Sequence, residues 1–338
     1  MWKAIYGRAA LAFVAAISLG GAPLPRPART SAGTRPVELS PMARQVEDAS
    51  KLAPVGPGAR GPLVVRAQIL LDRARFSTGE IDGEYGNDLG VAIKGYRAAH
   101  GLDAGATIDA KMWKLLEADT RPLLTTYIIT AADLKGPFQP IPKDVKEQAQ
   151  MKWMGWESPQ EELGERFHSA PKLLAELNPG KALNTAGERI VVPSVHRALA
   201  QPAARVVISK SERTVTAYAA NGRILAEYPA TIGGVHDPLP IGDWKIVSVV
   251  HDPWFNWDPV HFWNANPNEA AEKLPPGPNN PVGVVWMGLS LEHYGIHGTE
   301  DPGHIHHDES YGCIRLTNWD ADDLSHMVRR GTPVIGEE

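Results

Sequence analysis

Tyr294-Gly295-Ile296-His297-Gly298-Thr299 and Ser310-Tyr311-Gly312-Cys313-Ile314-Arg315-Leu316-Thr317-Asn318 are the two blocks on which the reading of this chain turns. The second contains the only cysteine in 338 residues. A thiol attacks only as thiolate, and a free cysteine with a pKa near ~8.5 is mostly protonated at neutral pH. It needs a neighbouring base or a positive field, and histidine is the usual supplier. His297 precedes Cys313 by enough chain for one strand to turn back beside another. Gly298 and Gly312 remove side chains where backbones must approach closely or present amides. Such amides can face the oxyanion of a tetrahedral intermediate. By spacing alone, a buried cysteine and a surface histidine explain the pair equally well.

Working outward, β-branched and aromatic runs at 206–209, 214–218, 224–231, 244–250 and 284–289 predict strands, parted by Gly, Asn and Pro. Asn221-Gly222 is a hairpin turn signal. After Cys313, Asn318 is placed to cap a helix with Ala321, Leu324 and Val328 on one face. Early Asp320, Asp322 and Asp323 and late Arg329 and Arg330 suit its dipole, and Gly331 ends it.

Taken together, Ile241-Gly242, the run Pro275-Pro276-Gly277-Pro278-Asn279-Asn280-Pro281, Trp286, Gly288-Leu289-Ser290 and the two opening blocks resemble the L,D-transpeptidase catalytic domain of YkuD type. The resemblance spans a mostly-β domain, 203–337. It implies Cys313 as nucleophile and His297 as general base, with Ser310 and Gly312 shaping the turn and the Gly312 and Cys313 amides facing the oxyanion. It implies Arg315, Tyr311, Asn318 and Gly298 on the substrate side, and for Arg315 a structural ion pair is an equal alternative. A guanidinium suits a stem carboxylate because it binds bidentately. The implied reaction takes a tetrapeptide stem of peptidoglycan, expels D-Ala through a thioester and passes the acyl group to an amine, giving a 3–3 cross-link. Transfer to water would make a carboxypeptidase, and a decayed site would leave a wall-binding protein. The family pattern has His where this chain has Tyr311, which removes an imidazole beside the thiol. The family needs no cofactor and no metal. The run His304-Ile305-His306-His307, with His293 nearby, invites zinc because imidazoles at alternate strand positions share a face; surface histidines are the expectation.

Upstream, residues 61–118 predict three short helices around Gly79 to Gly86. The pattern Gln68, Leu71, Gly79, Ile81-Asp82-Gly83, Tyr85-Gly86, Ala92, Tyr96, His100-Gly101-Leu102, Asp109, Trp113 resembles a small three-helix peptidoglycan-binding domain. Residues 140–194 end in a helix, an Asn178-Pro179-Gly180 turn and a strand, and resemble the second half of a LysM-like α+β module; an interdomain spacer is the alternative. Residues 29–60 are Pro- and Ala-rich and predict a linker, with a helical patch near 42–52.

At the N-terminus, Lys3 and Arg8 precede an apolar stretch from Ala9 to Leu19, then Gly20, Gly21 and Ala22. That is the order of a secretory signal, assigned to 1–28, too short for a comfortable span. Left uncleaved it would serve as a membrane anchor. The chain is thus expected to be exported to periplasm or cell wall, with peptidoglycan as partner. The net charge of −5 and the lack of a basic stripe argue against nucleic acid.

Overall fold

The computed structural model describes residues 37–338 except 235, 263, 264 and 308, and Val37–Glu338 form one compact unit. The signal expected over 1–28 and the start of the linker lie outside the described residues. Among the described residues no helix is long and apolar enough to cross a membrane.

The expected linker is folded from Val37 on. Ser40 caps α1 (Pro41–Glu47) through its side chain, which accepts from the Ala43 amide at 3.2 Å. Ala43 and Val46 are fully buried in the core of the helical unit. The linker reading rested on Pro and Ala content, which says little once an apolar neighbour is there to be covered. Three helices follow as expected: α2 (Pro62–Arg73), α3 (Asn87–Ala99) and α4 (Ala110–Leu116), the last capped by Asp109. Gln68 explains the Asp82-Gly83 turn. Its buried amide accepts from both turn amides at 3.2 and 2.8 Å and donates to Asp82 Oδ1 at 2.8 Å.

The next unit starts before 140. Strand β1 (Leu124–Ile128) pairs antiparallel with β2 (Arg189–Pro193), and between them lie α5 (Val145–Ala149), α6 (Pro159–Arg166) and α7 (Pro171–Leu177). Ile129, Leu163, Leu174 and Ile190 form its own core, so it is an α+β module and not a spacer. Asn178 staples the turn to β2, donating to Val191 O at 2.6 Å and accepting from the Val191 amide at 2.7 Å.

The third unit is built on β3 (Arg205–Ser209), β4 (Thr214–Tyr218), β5 (Ile224–Pro229), β6 (Gly242–His251), the β7 (Phe255–Trp257) and β8 (Glu272–Leu274) ribbon, β9 (Val285–Leu289), β10 (Gly295–His297), β11 (Ile314–Arg315), α8 (Asn318–Ser325) and β12 (Pro333–Glu337). Eight strands form one sheet in the order β11-β10-β9-β6-β12-β3-β4-β5. All five predicted strands are there. The cap of α8 is Thr317, which accepts from the Asp320 amide, and not Asn318. The helix also stops at Ser325, short of Val328.

The units are clamped together by buried charge. Arg197, whose side chain is 7% exposed, reaches Asp72 of α2 at 2.5 Å, Asp320 of α8 at 2.9 Å and Asp323 of α8 at 3.2 Å. Arg75 adds a second bond to Asp323 at 2.9 Å, and Ser77 donates to Asp320 at 2.5 Å. His168 of the α+β module meets Asp72 at 3.0 Å and stacks on Trp319. On the far edge of the sheet α3 lies so close to β5 that a Cβ at Gly95 would fall 1.9 Å from Glu227 Oε1.

Removing one member of a buried ionic set leaves its partners charged and dry, a loss of about 3–5 kcal/mol. Arg197→Ala should lower unfolding stability by that order in urea denaturation. A loss under about 1 kcal/mol would show that water enters the cluster and that the clamp is weak.

Candidate active site

The two opening blocks meet at one edge of the sheet. Strand β10 pairs with β11 with Ile296 opposite Ile314 and His297 opposite Arg315. The pairing is parallel, so the chain does not turn straight back as its spacing suggested. A parallel neighbour needs a crossover of about a dozen residues or more, and 298–313 supplies it. Paired residues share a face, so His297 and Arg315 stand side by side. Cys313 sits at the entry to β11, two residues from Arg315.

Backbone bonds fix this corner. Arg315 exchanges amide and carbonyl bonds with Thr231 at 2.8 and 3.0 Å, and the Leu316 amide donates to His297 O at 2.8 Å. Ser310 donates its hydroxyl to the Cys313 carbonyl and its amide bonds Ile232 O, so it shapes the turn as expected. Gly312 has φ +95°, left-handed backbone that a side chain strains, and a Cβ there would stand 3.0 Å from the Tyr294 ring.

His297 is 3% exposed, and its Nδ1 lies 2.6 Å from the Gly298 carbonyl. A carbonyl only accepts, so Nδ1 carries the hydrogen and Nε2 keeps its lone pair. Gly298 therefore orients the imidazole, and its own amide is bonded to Val285 O, which takes it off the substrate side. Trp286 stacks on the ring with centroids 5.4 Å apart. Burial, and then the Arg315 charge, lower the His297 pKa to about 3 against the pull of the Gly298 bond. Burial pushes the Cys313 thiol up, while a Gly295 backbone hydrogen bond and the Arg315 charge pull it back. The thiol donates to His293 O at 3.6 Å. At rest both groups are thus neutral, and one guanidinium favours the thiolate while it opposes the imidazolium.

Arg315 forms no salt bridge with the described residues, and its Nε is buried without a hydrogen-bond partner among them. Burial raises the pKa of the Glu300 carboxylate and the Arg315 charge acts to lower it, so a structural role toward Glu300 stands beside a substrate role. Tyr311 meets Phe262 edge-on at 4.8 Å, and Phe262 stacks on Trp257 of the β7–β8 ribbon. Asn318 is a correction. Its Nδ2 donates to both Glu165 oxygens at 3.1 and 3.2 Å and to Pro278 O at 3.1 Å, and its Oδ1 accepts from the Val284 amide. No group on it remains for a substrate; it braces the 275–284 loop. The histidine run is not a strand: His304 ends a 3-10 turn (Pro302–His304) and residues 305–307 form a turn after it, so the alternation of a strand does not apply. His304 pairs with Asp301 and His306 with Asp88, each at 2.8 Å. Glu165 escaped the sequence reading because a lone acid on a short helix carries no signal; only burial against Asn318 marks it.

Residues 203–335 match the L,D-transpeptidase catalytic domain model, YkuD. The YkuD protein of Bacillus licheniformis, which carries the L,D-transpeptidase name, is 32% identical over 178 residues, 52% of this chain and 90% of that protein. The chain belongs to the L,D-transpeptidase family. It is a transpeptidase. The Bacillus subtilis YkuD protein is 31% identical over 169 residues, 50% of this chain and 87% of its own. A solved L,D-transpeptidase from Mycobacterium smegmatis overlaps 46% of this chain and 65% of its own at 18% identity, with a TM-score of 0.33. The family's match covers the sheet domain and leaves the helical and α+β units of this transpeptidase outside it.

Two outcomes follow from the electrostatics. Iodoacetamide should alkylate Cys313 with a pH midpoint above that of free cysteine, and Arg315→Gln should move it higher still; an unchanged midpoint would remove Arg315 from the thiol's field. Burial, the first cause, raises the Glu165 pKa to about 8 from an ordinary 4.5. Its share of stability is therefore full below about pH 4.5 and fades as pH rises toward 8. In thermal melts Glu165→Gln should gain on the wild type from pH 5 to pH 8, and parallel curves would contradict the shift.

Proposed function

We propose that the protein is an exported L,D-transpeptidase that acts on peptidoglycan stems through a Cys313 thioester. The observation that carries the reading is the parallel pairing of β10 with β11, which sets His297 beside Arg315 and Cys313 at its entry. As substrate enters, the thiol gives its proton to His297 Nε2 while the sulfur attacks the carbonyl carbon of the L-centred residue. The Gly312 and Cys313 amides receive the oxyanion. The C–N bond then breaks and D-Ala leaves as an amine with the proton from His297. The amine of a second stem attacks the thioester, gives its proton to His297, and the thiol is restored as the 3–3 link forms. Because the imidazolium is disfavoured beside Arg315, proton transfer and attack are best coupled in one step. Arg315 holds a stem carboxylate through its guanidinium, and Tyr311 walls that side with Phe262 in place of the family histidine.

Export is supported by the basic and apolar order of Lys3, Arg8 and Ala9 to Leu19. The helical unit and the α+β module are proposed as wall-binding parts, held rigidly to the sheet. A polymer gripped by them is presented to the site at high local concentration.

Purified protein incubated with tetrapeptide muropeptides should give dimers with loss of D-Ala by mass spectrometry, and Cys313→Ala should give none. Tripeptides alone would assign hydrolysis, and unchanged substrate would end the catalytic reading.

A further inference from the structure

A cavity of about 70 Å³ lies away from Cys313 between the helical unit and the crossover 298–313; its walls include Thr78, Glu80, Asp82, Asp88, Gly303 and His307. Its lining is acidic, yet its acids are not equivalent. Asp88 is paired with His306 at 2.8 Å, and Asp82 Oδ1 accepts from Gln68 Nε2 and the Glu84 amide, each at 2.8 Å. The Glu80 carboxylate takes no hydrogen bond and no ion pair from the described residues. It lies against Gly303, where a Cβ would stand 3.3 Å from Glu80 Oε2.

A second observation is independent of charge. Thr78 is 3% exposed, lines the same cavity, and its Oγ1 has no hydrogen-bond partner among the described residues. A buried hydroxyl left unmet is costly, so a polar occupant is called for, and the carboxylates of Glu80 and Asp82 require that occupant to be a donor. Among the described residues no group of three His, Cys, Asp or Glu is placed to hold a metal ion. The remaining cation is organic. An alkylammonium has three N–H donors and tapers to a slim methylene chain, whereas a guanidinium is a wide planar fork.

We infer that this cavity binds a primary ammonium group at the end of an aliphatic chain, held by Glu80, Asp82 and Thr78. Bound there, the ammonium joins the helical unit to the crossover that leads into Cys313. The inference rests on the chemistry of the cavity and not on acyl transfer. Wall peptides with a free side-chain amine and soluble polyamines both offer this group.

Burial first, then Asp82 and Asp301, raise the Glu80 pKa to about 7 against His304. Glu84, Asp88, His306 and His307 at the cavity and Glu165 behind it are the other titratable groups near Glu80. The ionised form binds, so affinity should rise from pH 6 to pH 8.

The test is ligand-observed NMR on the full chain with Nα-acetyl-lysine amide as probe. Binding is expected, with a loss of about tenfold in Glu80→Gln and a smaller loss in Thr78→Val. The Nε-acetylated probe, offered to the unaltered protein, should not bind. Displacement by an amine-bearing wall tripeptide assigns the site to the wall, and displacement by spermidine alone assigns it to soluble amines. Silence of the probe, equal binding of its acetylated form, or full affinity in Glu80→Gln would overturn the inference.

Discussion

Arg197 is the point at which the protein is held together. It lies in the chain between the α+β module and the sheet, and its guanidinium meets one carboxylate of α2 and two of α8. Burial would push such a group toward neutrality, but Asp72, Asp320 and Asp323 hold its pKa well above the ordinary arginine value. Asp72 in turn stays ionised down to about 2, because Arg197 and His168 outweigh its burial. A buried ionic cluster is a poor source of net stability and a good source of registry. Here it settles how three small cores are oriented about one helix.

That helix follows directly on the strand that carries Arg315. Asn318 opens α8 and ties it to Glu165 of the α+β module and to the 275–284 loop. The catalytic edge is thus braced from behind by residues outside the matched family domain. At the same corner the Arg315 Nε donor has no partner among the described residues and the His297 Nε2 lone pair is unspent.

Much of this was legible in the sequence. The hairpin at Asn221-Gly222, five of the strands, three helices and the meeting of the two opening blocks follow from local pattern and from blocks that keep their order. What was not legible is mostly non-local. Strands β10 and β11 have three and two residues, too short for a period of two to declare itself. Strand β12 reads Pro-Val-Ile-Gly-Glu, with a proline and a glycine that argue against a central strand. Asn318 looked like a cap because it precedes an apolar face, but Thr317 with its extended backbone took that role. The residues around Arg197 are polar, scattered along the chain and silent until folded.

Strand β12 has one more consequence. It lies between β6 and β3, so it is the seam that joins the half of the sheet bearing His297 to the half that receives α3. The β3-β4-β5 meander can form from neighbouring residues as soon as it is made. The other half has no partner on that side until β12 arrives, roughly ninety residues after β6. Contacts so distant in sequence form late. During synthesis, the thiol therefore stays in an unfinished and inert frame until the seam is sewn.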